Sequence, residues 1–371
     1  MHREHKCCPS AERRHRGVPP ARDCHPLHPG RGRATRFGTG LAHLSARITI
    51  KKYCKAKPYV KLNNSLFYRE YMSVQSGSSI TSISVSALES HVRELAEEIG
   101  ERHVWLPQSL ATARDYIVGQ WQAEGHTVET QAYEALDVLC ANLSIDLPGT
   151  RWPRQVVLVG AHYDTVRQSP GADDNASGVA ALLELGRCLS NWRPGRNIRL
   201  VAFVNEEAPF FFWEKMGSAI YARAAKRRGE DIRAMFSLEM LGCYRDESGS
   251  QQYPPFLGRG RPDRGNFIAF VANLRSRPLL KRALAAFKEC TDFPVEGTAT
   301  FGWLPGVNWS DHLNFWREGY PALMVTDTAF FRYPYYHAPQ DTPEKLDYRR
   351  MATVVEGLAG MLIKLADDES L

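Results

Sequence analysis

Long apolar runs and frequent cysteines are both missing from this 371-residue sequence. No stretch approaches the roughly 18 consecutive apolar residues of a membrane-spanning helix, and the first forty residues contain no apolar signal-peptide core. Eight cysteines are too few for a disulfide framework, and those near the N-terminus lack the spacing of zinc modules. We therefore expect a cytoplasmic protein without a membrane span, with buried thiols at Cys140, Cys188, Cys243 and Cys290.

Acidic residues are scarce at the N-terminus. Residues 1–58 carry 14 Lys and Arg against three acids, whereas the whole chain has a net charge of +6. The basic character therefore belongs to a solvated tail and does not indicate a nucleic-acid partner. Because Pro and His are also frequent there and residues 73–84 are rich in serine, we expect residues 1–85 to be a disordered extension and linker. A true start near Met72 is an alternative, and residues 86–371 would form the single folded domain.

Hydrophobic periodicity predicts two helices, followed by strands that alternate with helices. A capping box at residues 86–89 and apolar residues at helical spacing predict the first helix, and the second is predicted at 108–124. Short apolar runs lie at 156–160, 198–204, 235–238, 267–271 and 322–325, and helical segments lie at 177–189, 218–226, 278–289 and 348–365. This alternation is typical of an α/β fold, here one mixed, largely parallel central sheet flanked by helices.

Residues that can bind metal follow three of the predicted strands. His162 follows the run 156–160 after Ala161, and Glu239 comes directly after the run 235–238. The pair Glu206 and Glu207 follows the run 198–204 after Asn205. Because ligand sites of open α/β sheets form beyond the carboxyl ends of the strands, we expect these side chains to meet at one edge.

The sequence can supply ligands for two zinc ions, although other divalent metals are possible. Three protein ligands per ion suffice when one carboxylate bridges the pair. His162 and Glu239 would hold one ion, Glu207 and His337 would hold the other, and Asp174 would bridge them. Outside the tail the chain has only six histidines, and two of them lie in these segments.

Each candidate also has a structural interpretation. Asp164 is spaced to fix the imidazole tautomer of His162 as a second carboxylate behind the metal. One acid of the pair at 206–207 can bind metal while its neighbour takes a proton from water, but adjacent acids also suit a helix start. Asp173 and Asp174 can likewise cap the helix at 177–189. The conjunction of these residues, not any one of them, indicates a metal site.

Five segments, in order, resemble the signature of metallopeptidase family 28, the co-catalytic zinc aminopeptidases. They are Gly-Ala-His-Tyr-Asp at 160–164, Pro-Gly-Ala-Asp-Asp-Asn-Ala-Ser-Gly at 170–178, Asn-Glu-Glu at 205–207, Ser-Asp-His at 310–312 and His-Ala-Pro-Gln-Asp-Thr at 337–342. The resemblance implies a zinc-exopeptidase catalytic domain of the phosphorylase/hydrolase-like type over residues 86–371. It implies two zinc ions on the ligands named above, Glu206 as general base, and peptide substrates with a free N-terminus. Tyr336 matches a position that stabilises the oxyanion in some relatives, although a core aromatic is the alternative.

The sequence departs from the family pattern in two places. Glu239 stands where many members have Asp, which is an exchange of one carboxylate for another. The loop after Glu207 is longer and more aromatic than usual, and the segment 210–213 either lines an apolar substrate pocket or packs under a neighbouring loop. The Gly- and Pro-rich stretches 258–265 and 298–308 suit loops that rim a site or contact another subunit.

Three other functions compete with an aminopeptidase. Aminoacylases and carboxypeptidases of related fold insert a domain between their last two ligands, but only 98 residues separate Glu239 from His337. A glutaminyl-cyclase-like acyltransferase uses a single zinc, whereas all five ligands are present here. A scaffold protein without chemistry would be expected to lack ligands. We therefore predict a metal-dependent exopeptidase, a zinc-dependent aminopeptidase, and the sequence leaves its oligomeric state and side-chain preference open.

Overall fold

The computed structural model describes residues 81–254 and 258–371. The predicted basic tail and most of the linker lie outside the described residues. The strands are β1 Glu129–Ala135, β2 Val138–Leu147, β3 Trp152–His162, β4 Arg196–Phe203, β5 Asp231–Glu239, β6 Ile268–Asn273, β7 Val295–Thr300 and β8 Ala322–Thr326. The helices are α1 Val85–Arg93, α2 Pro107–Ala123, α3 Gly178–Leu189, α4 Gly217–Arg228, α5 Arg277–Cys290, α6 His312–Arg317 and α7 Tyr348–Asp367. Single turns of π-helix follow α1 at Glu94–Ile99 and precede α3 at Ala172–Ser177.

The eight strands form one mixed sheet in the order β1-β2-β4-β3-β5-β8-β6-β7. The central strands β4, β3, β5 and β8 are parallel to one another, and β6 is parallel to β7. The pairs β1 with β2, β2 with β4, and β6 with β8 are antiparallel. The predicted α/β fold with a largely parallel centre is therefore confirmed.

Three strands of the sheet were not predicted from the hydrophobic pattern. The edge strands β1 and β7 have few apolar residues, and most of their side chains are half-buried or exposed. Strand β2 is mostly buried but contains Asn142, Ser144 and Asp146, which interrupt its apolar run. An edge strand is covered on fewer sides than a central one, so composition alone gives it little signal.

Helices cover both faces of the sheet, which explains the continuous apolar runs of its central strands. Successive residues of β3 point to opposite faces. Val157 and Val159 face the core shared with α1, α2, α3, α5 and α7, whereas Val156 and Leu158 face a smaller cluster beneath α4 and α6. Among the described residues no helix is long and apolar enough to cross a membrane. The four cysteines predicted to be buried are buried.

Helix α1 begins earlier than its predicted capping box. The Oγ of Ser84, not that of Ser86, accepts the capping hydrogen bond, which the N–H of Ala87 donates at 3.2 Å. The N–H of Ser84 also donates to the carboxylate of Glu184 in α3 at 2.8 Å. The prediction of a capping box at 86–89 is therefore wrong. Ser84 and Ser86 are equally suitable caps in the sequence, and the tertiary contact with α3 favours Ser84.

Candidate metal centre

The carboxyl ends of β3, β4 and β5 deliver four acidic or imidazole side chains to one edge of the sheet. His162 is the last residue of β3 and Glu239 is the last residue of β5. Glu206 and Glu207 come soon after β4, separated from it by Val204 and Asn205. All four residues are buried. The parallel register of the three strands brings the side chains together, because it aligns the strand ends.

Asp174 reaches this place from the π-helical turn Ala172–Ser177. The N–H groups of Asp173 and Asp174 donate to the carboxylate of Asp341, at 2.9 and 3.1 Å. The hydroxyl of Tyr333 donates to the same carboxylate at 2.9 Å. Since Asp341 lies four residues after His337, this contact ties the turn to the segment that carries His337.

Asp174 stands between two groups of side chains. Its Oδ1 lies 3.3 Å from the Nε2 of His162, which in turn lies 3.5 Å from the Oε2 of Glu239. Its Oδ2 lies 3.1 Å from the Nε2 of His337, which lies 3.3 Å from the Oε1 of Glu207. In each group the ligand atoms lie within 4.8 Å of one another. The two oxygens of one carboxylate therefore face different histidines, as a bridging ligand requires.

The chemistry of these groups fits divalent metal ions. The Nε2 of His162 and the Oδ1 of Asp174 are buried, and within the described part of the chain neither has a hydrogen-bond partner of suitable geometry. A buried polar atom without a partner is costly, and a metal ion would provide one. Imidazole nitrogen and carboxylate oxygen are ligands that zinc accepts, and three of them leave a position for water or substrate.

Two serines hold Glu239 in position. The hydroxyl of Ser310 donates to the Oε2 of Glu239 at 2.7 Å, and it lies 2.8 Å from the hydroxyl of Ser237. Asp311, the next residue along the chain, is buried nearby, and burial raises its pKa to about 7. The Ser-Asp-His segment was noticed in the sequence as part of a signature, but composition gave no role for its individual residues.

The contacts of Asp164 differ from those predicted. Its two carboxylate oxygens accept hydrogen bonds from the N–H groups of Glu206 and Glu207, each at 3.1 Å. The Nδ1 of His162 lies 3.6 Å from the Asp164 carboxylate and only 3.1 Å from its backbone carbonyl oxygen. The carboxylate therefore mainly holds the turn at 206–207, and the backbone of Asp164 is the nearer partner of the imidazole.

Tyr336 lies beside the metal-binding groups. Its ring stacks on that of His337, with centroids 3.8 Å apart, and packs 5.6 Å from that of Phe330. Burial, reinforced by the charges of Asp174 and Glu207, raises the pKa of Tyr336 well above its usual value. Its hydroxyl is therefore protonated and can donate a hydrogen bond. A core aromatic, the alternative interpretation of this position, would have no need of such a donor.

Three residues of the centre have backbone conformations that non-glycine residues rarely adopt. Asn205 precedes the acid pair with φ 60°, Met240 follows Glu239 with φ 55°, and His337 has φ 57°. Such conformations cost free energy and cluster at functional sites, where the surrounding structure enforces them. This feature depends on tertiary structure, so the sequence gives no sign of it.

The centre contains several carboxylates that are buried away from water. Burial, together with repulsion from Asp174, raises the pKa of Glu207 to about 7. Burial also raises the pKa of Glu206 well above its usual value, and the nearby His162 only partly offsets this. For His337, burial lowers the pKa, but contacts with Asp174 and Glu207 outweigh that effect and raise it to about 10. Metal ions would replace the protons that the metal-free site retains.

We expect the metal-free protein to lose stability as the pH rises. The pKa values of Glu207 and Asp311 are raised to about 7, and that of His337 to about 10. A group whose pKa is raised by folding stabilises the protein fully below its unfolded pKa, and this contribution disappears as the pH passes the folded value. The window therefore runs from about pH 4 to 7 for the acids and from about 6.5 to 10 for the histidine.

Thermal unfolding with chelator and with added zinc, between about pH 5 and pH 9, tests this expectation. Metal ligands must be deprotonated, so zinc should stabilise the protein more as the pH rises. The difference in Tm between the two samples should therefore widen toward pH 9. A difference that narrows over this range would contradict the assignment of these groups to the metal centre.

A cavity of about 110 Å³, open to solvent, lies beside Glu239 and Tyr336. Its floor is one face of three adjacent strands, since Thr326 of β8 pairs with Ala269 of β6, and Ala269 pairs with Glu296 of β7. The apolar side chains that line it include Val271, Val307, Trp309, Met324, Phe330 and Phe331. Both Gly- and Pro-rich stretches contribute to this lining, Arg261 from one and Val307 from the other.

The aromatic loop after Glu207 does not line this cavity. Phe210 is buried in the main core and Phe211 packs against it. Phe212 and Trp213 are 38% and 63% exposed and border a different hollow, next to Arg223 of α4. The first half of the loop therefore packs against other residues, which is one of the two predicted roles. The second half neither lines the substrate cavity nor packs in the core.

The fold and the site together define an α/β protein with a candidate metal centre at the carboxyl edge of its sheet. A sequence profile of Peptidase family M28 matches residues 142–362. YfbL of Escherichia coli K12, an uncharacterized protein, is 38% identical over 284 residues, which are 74% of this chain and 86% of YfbL. The chain therefore belongs to Peptidase family M28.

More distant relatives have named activities. A probable leucine aminopeptidase of Arthroderma otae is 26% identical over 234 residues, and the match covers 59% of this chain and 55% of that protein. The chain thus spans little more than half of this fungal relative. The structure of BSAP, a zinc aminopeptidase from Bacillus subtilis, has a TM-score of 0.61 and 14% identity, with 78% of this chain and 97% of that chain covered. The similarity to BSAP shows that the fold is shared.

Proposed function

We propose that this protein is a zinc-dependent aminopeptidase that removes N-terminal residues from peptides. The position of Asp174 carries the proposal, because its two oxygens face His162 and His337, each of which has its own glutamate partner. Two metal sites that share one carboxylate fit a co-catalytic pair. Family membership supports peptide substrates, and the names of the fungal and bacterial relatives support zinc and release of N-terminal residues.

The side chains of the centre divide the chemical work. Bound zinc would supply Lewis acidity, which makes water a stronger acid and polarises the scissile carbonyl. Glu206 takes the proton of the attacking water and later gives it to the leaving amine. The Tyr336 hydroxyl donates to the oxygen on which negative charge develops. The free α-amino group of the substrate lies beside Glu206 and Glu207, so a blocked N-terminus is excluded.

The cavity beside Glu239 receives the side chain of the first substrate residue. Its floor and walls are mainly apolar, and Trp309 and Phe330 contribute aromatic surface. Large apolar side chains gain most from leaving water in such a cavity. We therefore propose that the enzyme prefers leucine, methionine or phenylalanine at the N-terminus over glycine or aspartate.

A panel of aminoacyl chromogenic substrates, with zinc content measured on the same samples, tests the function. We expect hydrolysis of unblocked leucyl and phenylalanyl substrates, loss of activity with chelator, and recovery with added zinc. N-acetylated peptides are the matched control and should resist hydrolysis. Cleavage of N-acetyl amino acids would instead favour an aminoacylase. Cyclisation of N-terminal glutamine with a single zinc and no peptide hydrolysis would favour the cyclase.

Substitution of Ala269 by phenylalanine tests the role of the cavity in the same assay. Ala269 lies on the floor, so the larger ring would fill space intended for the substrate. We expect kcat/KM for phenylalanyl and leucyl substrates to fall by about 10-fold or more, while alanyl substrates change little. Equal losses on all substrates would place the first side chain elsewhere.

A further inference from the structure

Arg102 lies completely buried behind the metal centre. Its guanidinium group lies within hydrogen-bonding distance of five backbone carbonyl oxygens. These belong to Tyr163 at 2.9 Å, to Leu95, Gly100 and Pro170 at 2.7 Å each, and to Gly171 at 3.0 Å. Neither the hydrophobic pattern nor the signature segments of the sequence pointed to this residue.

Three of these carbonyl groups lie in the connection between two proposed metal ligands. Tyr163 directly follows His162, and the segment 170–171 lies just before Asp174. The backbone of Arg102 also pairs with Thr165, because the Arg102 N–H donates to the Thr165 hydroxyl at 3.0 Å and the Arg102 carbonyl accepts from the Thr165 N–H at 2.9 Å. One residue therefore contacts both ends of this connection.

The connection has little free space in which to adjust. Gly171 has φ +62°, and a Cβ at this position would lie 2.3 Å from the carbonyl oxygen of Asp174 and 2.4 Å from the Cγ2 of Thr165. The same Cβ would lie 3.1 Å from the Nη2 of Arg102. The guanidinium group thus packs directly against the turn that presents Asp174.

The charge of Arg102 also faces the centre. Burial lowers its pKa to about 10, and the carboxylates of Asp341, Asp164 and Asp174 oppose that effect. Arg102 is therefore still protonated near neutral pH. A lysine could keep the charge, but it could not present a planar fork of donors to carbonyls on several sides.

We propose that Arg102 is a positioning residue that preorganises the Asp174 turn against His162 for metal binding. It acts through backbone carbonyls, because its guanidinium hydrogen bonds go to main-chain oxygens and not to ligand side chains. When Arg102 is altered, the two ligands should have to be ordered by the metal itself, and zinc affinity should fall. This inference rests on the proposed function, which places zinc on His162 and Asp174.

Arg196 provides a matched control. It is also buried, and its guanidinium group lies near the backbone carbonyl oxygens of Leu365 and Ala366, at 3.4 Å each, and donates to that of Asp368. It is the first residue of β4, whereas the metal centre lies beyond the other end of that strand. Arg196→Lys should therefore lower stability without altering zinc binding.

The test compares Arg102→Lys and Arg196→Lys in full-length protein, with zinc affinity from chelator competition and Tm from thermal unfolding of the metal-free form. We expect Arg102→Lys to weaken zinc binding by about 10- to 100-fold, a range typical of residues behind metal ligands, and Arg196→Lys to leave it unchanged. At saturating zinc, kcat of Arg102→Lys should largely recover. A lower Tm with unchanged zinc affinity in Arg102→Lys would show a purely structural role and overturn the proposal.

Thr165→Val keeps the test decisive if Arg102→Lys does not fold. It removes the hydroxyl that accepts from the Arg102 N–H and loosens the same connection with Arg102 still present. Weaker zinc binding by this variant would support the proposal, and unchanged binding would overturn it. If the unaltered protein binds zinc and Arg102→Lys binds it equally well, only this inference fails. If the unaltered protein binds no zinc, the proposed function fails as well.

Discussion

Glu206→Gln should bind as much zinc as the unaltered protein and hydrolyse aminoacyl substrates about 10²- to 10⁴-fold more slowly. The amide keeps the shape of the carboxylate but cannot accept the proton of the attacking water. Its backbone should stay in place, because the N–H of Glu206 donates to Asp164 and does not depend on the side chain. Metal content per chain and kcat on a leucyl substrate are the measurements.

Glu207→Gln is the matched control for this prediction. The two acids are neighbours, both are buried, and Asp164 holds both N–H groups. Only Glu207 is placed against His337, at 3.3 Å, and shares its group with Asp174. We therefore expect Glu207→Gln to lose one zinc. Since His162, Glu206 and Glu207 also form a compact group, equal metal loss in both variants would show that Glu206 is a ligand as well.

The centre of the sheet and the proposed ligands were accessible from the sequence because both leave local signals. Strands covered on both faces produce continuous apolar runs, as in β3 and β8, and the ends of those runs indicate where the edge of the sheet lies. His162 and Glu239 follow such runs. The edge strands β1 and β7 have no such signal, because their side chains are largely solvated.

The residues that support the metal centre could not be found in this way. Asp341 and Arg102 act on the Asp174 turn across separations of 167 or 168 and 68 or 69 residues, through backbone groups that any residue possesses. The cavity could not be predicted for the same reason. Its floor combines β8, β6 and β7, and only β6 and β8 were predicted. Aromatic character in the segment 210–213 was visible in the sequence but did not indicate which side chains face the substrate.

Two neighbouring buried acids differ in pKa, and this difference favours one of them as the metal ligand. Asp173 and Asp174 are adjacent and both fully or almost fully buried, yet their environments differ. Burial and repulsion from Asp327 raise the pKa of Asp173 well above its usual value. For Asp174, burial acts in the same direction, but contacts with His162 and His337 outweigh it and lower its pKa. The folded protein therefore favours the protonated form of Asp173 and the ionised form of Asp174.

Asp174→Asn should consequently abolish binding of both zinc ions, and its remaining activity should not exceed that of the chelated protein. The substitution removes the charge that faces both histidines and leaves an amide nitrogen in place of one ligand oxygen. Asp173→Asn is the control of equal size and equal depth. The Oδ1 of Asp173 accepts from the Gly242 N–H at 2.8 Å, and an amide oxygen can accept the same hydrogen bond.

Zinc content, kcat and the Tm of the metal-free form distinguish the two variants. We expect Asp173→Asn to keep both ions and most activity, because an amide resembles the protonated acid that burial favours at this position. Asp174→Asn should keep its fold, and its Tm should no longer rise when zinc is added. If Asp173→Asn also loses both ions, the bridge cannot be assigned to Asp174 alone. If Asp174→Asn retains one ion, the two groups bind metal independently and the carboxylate does not bridge them.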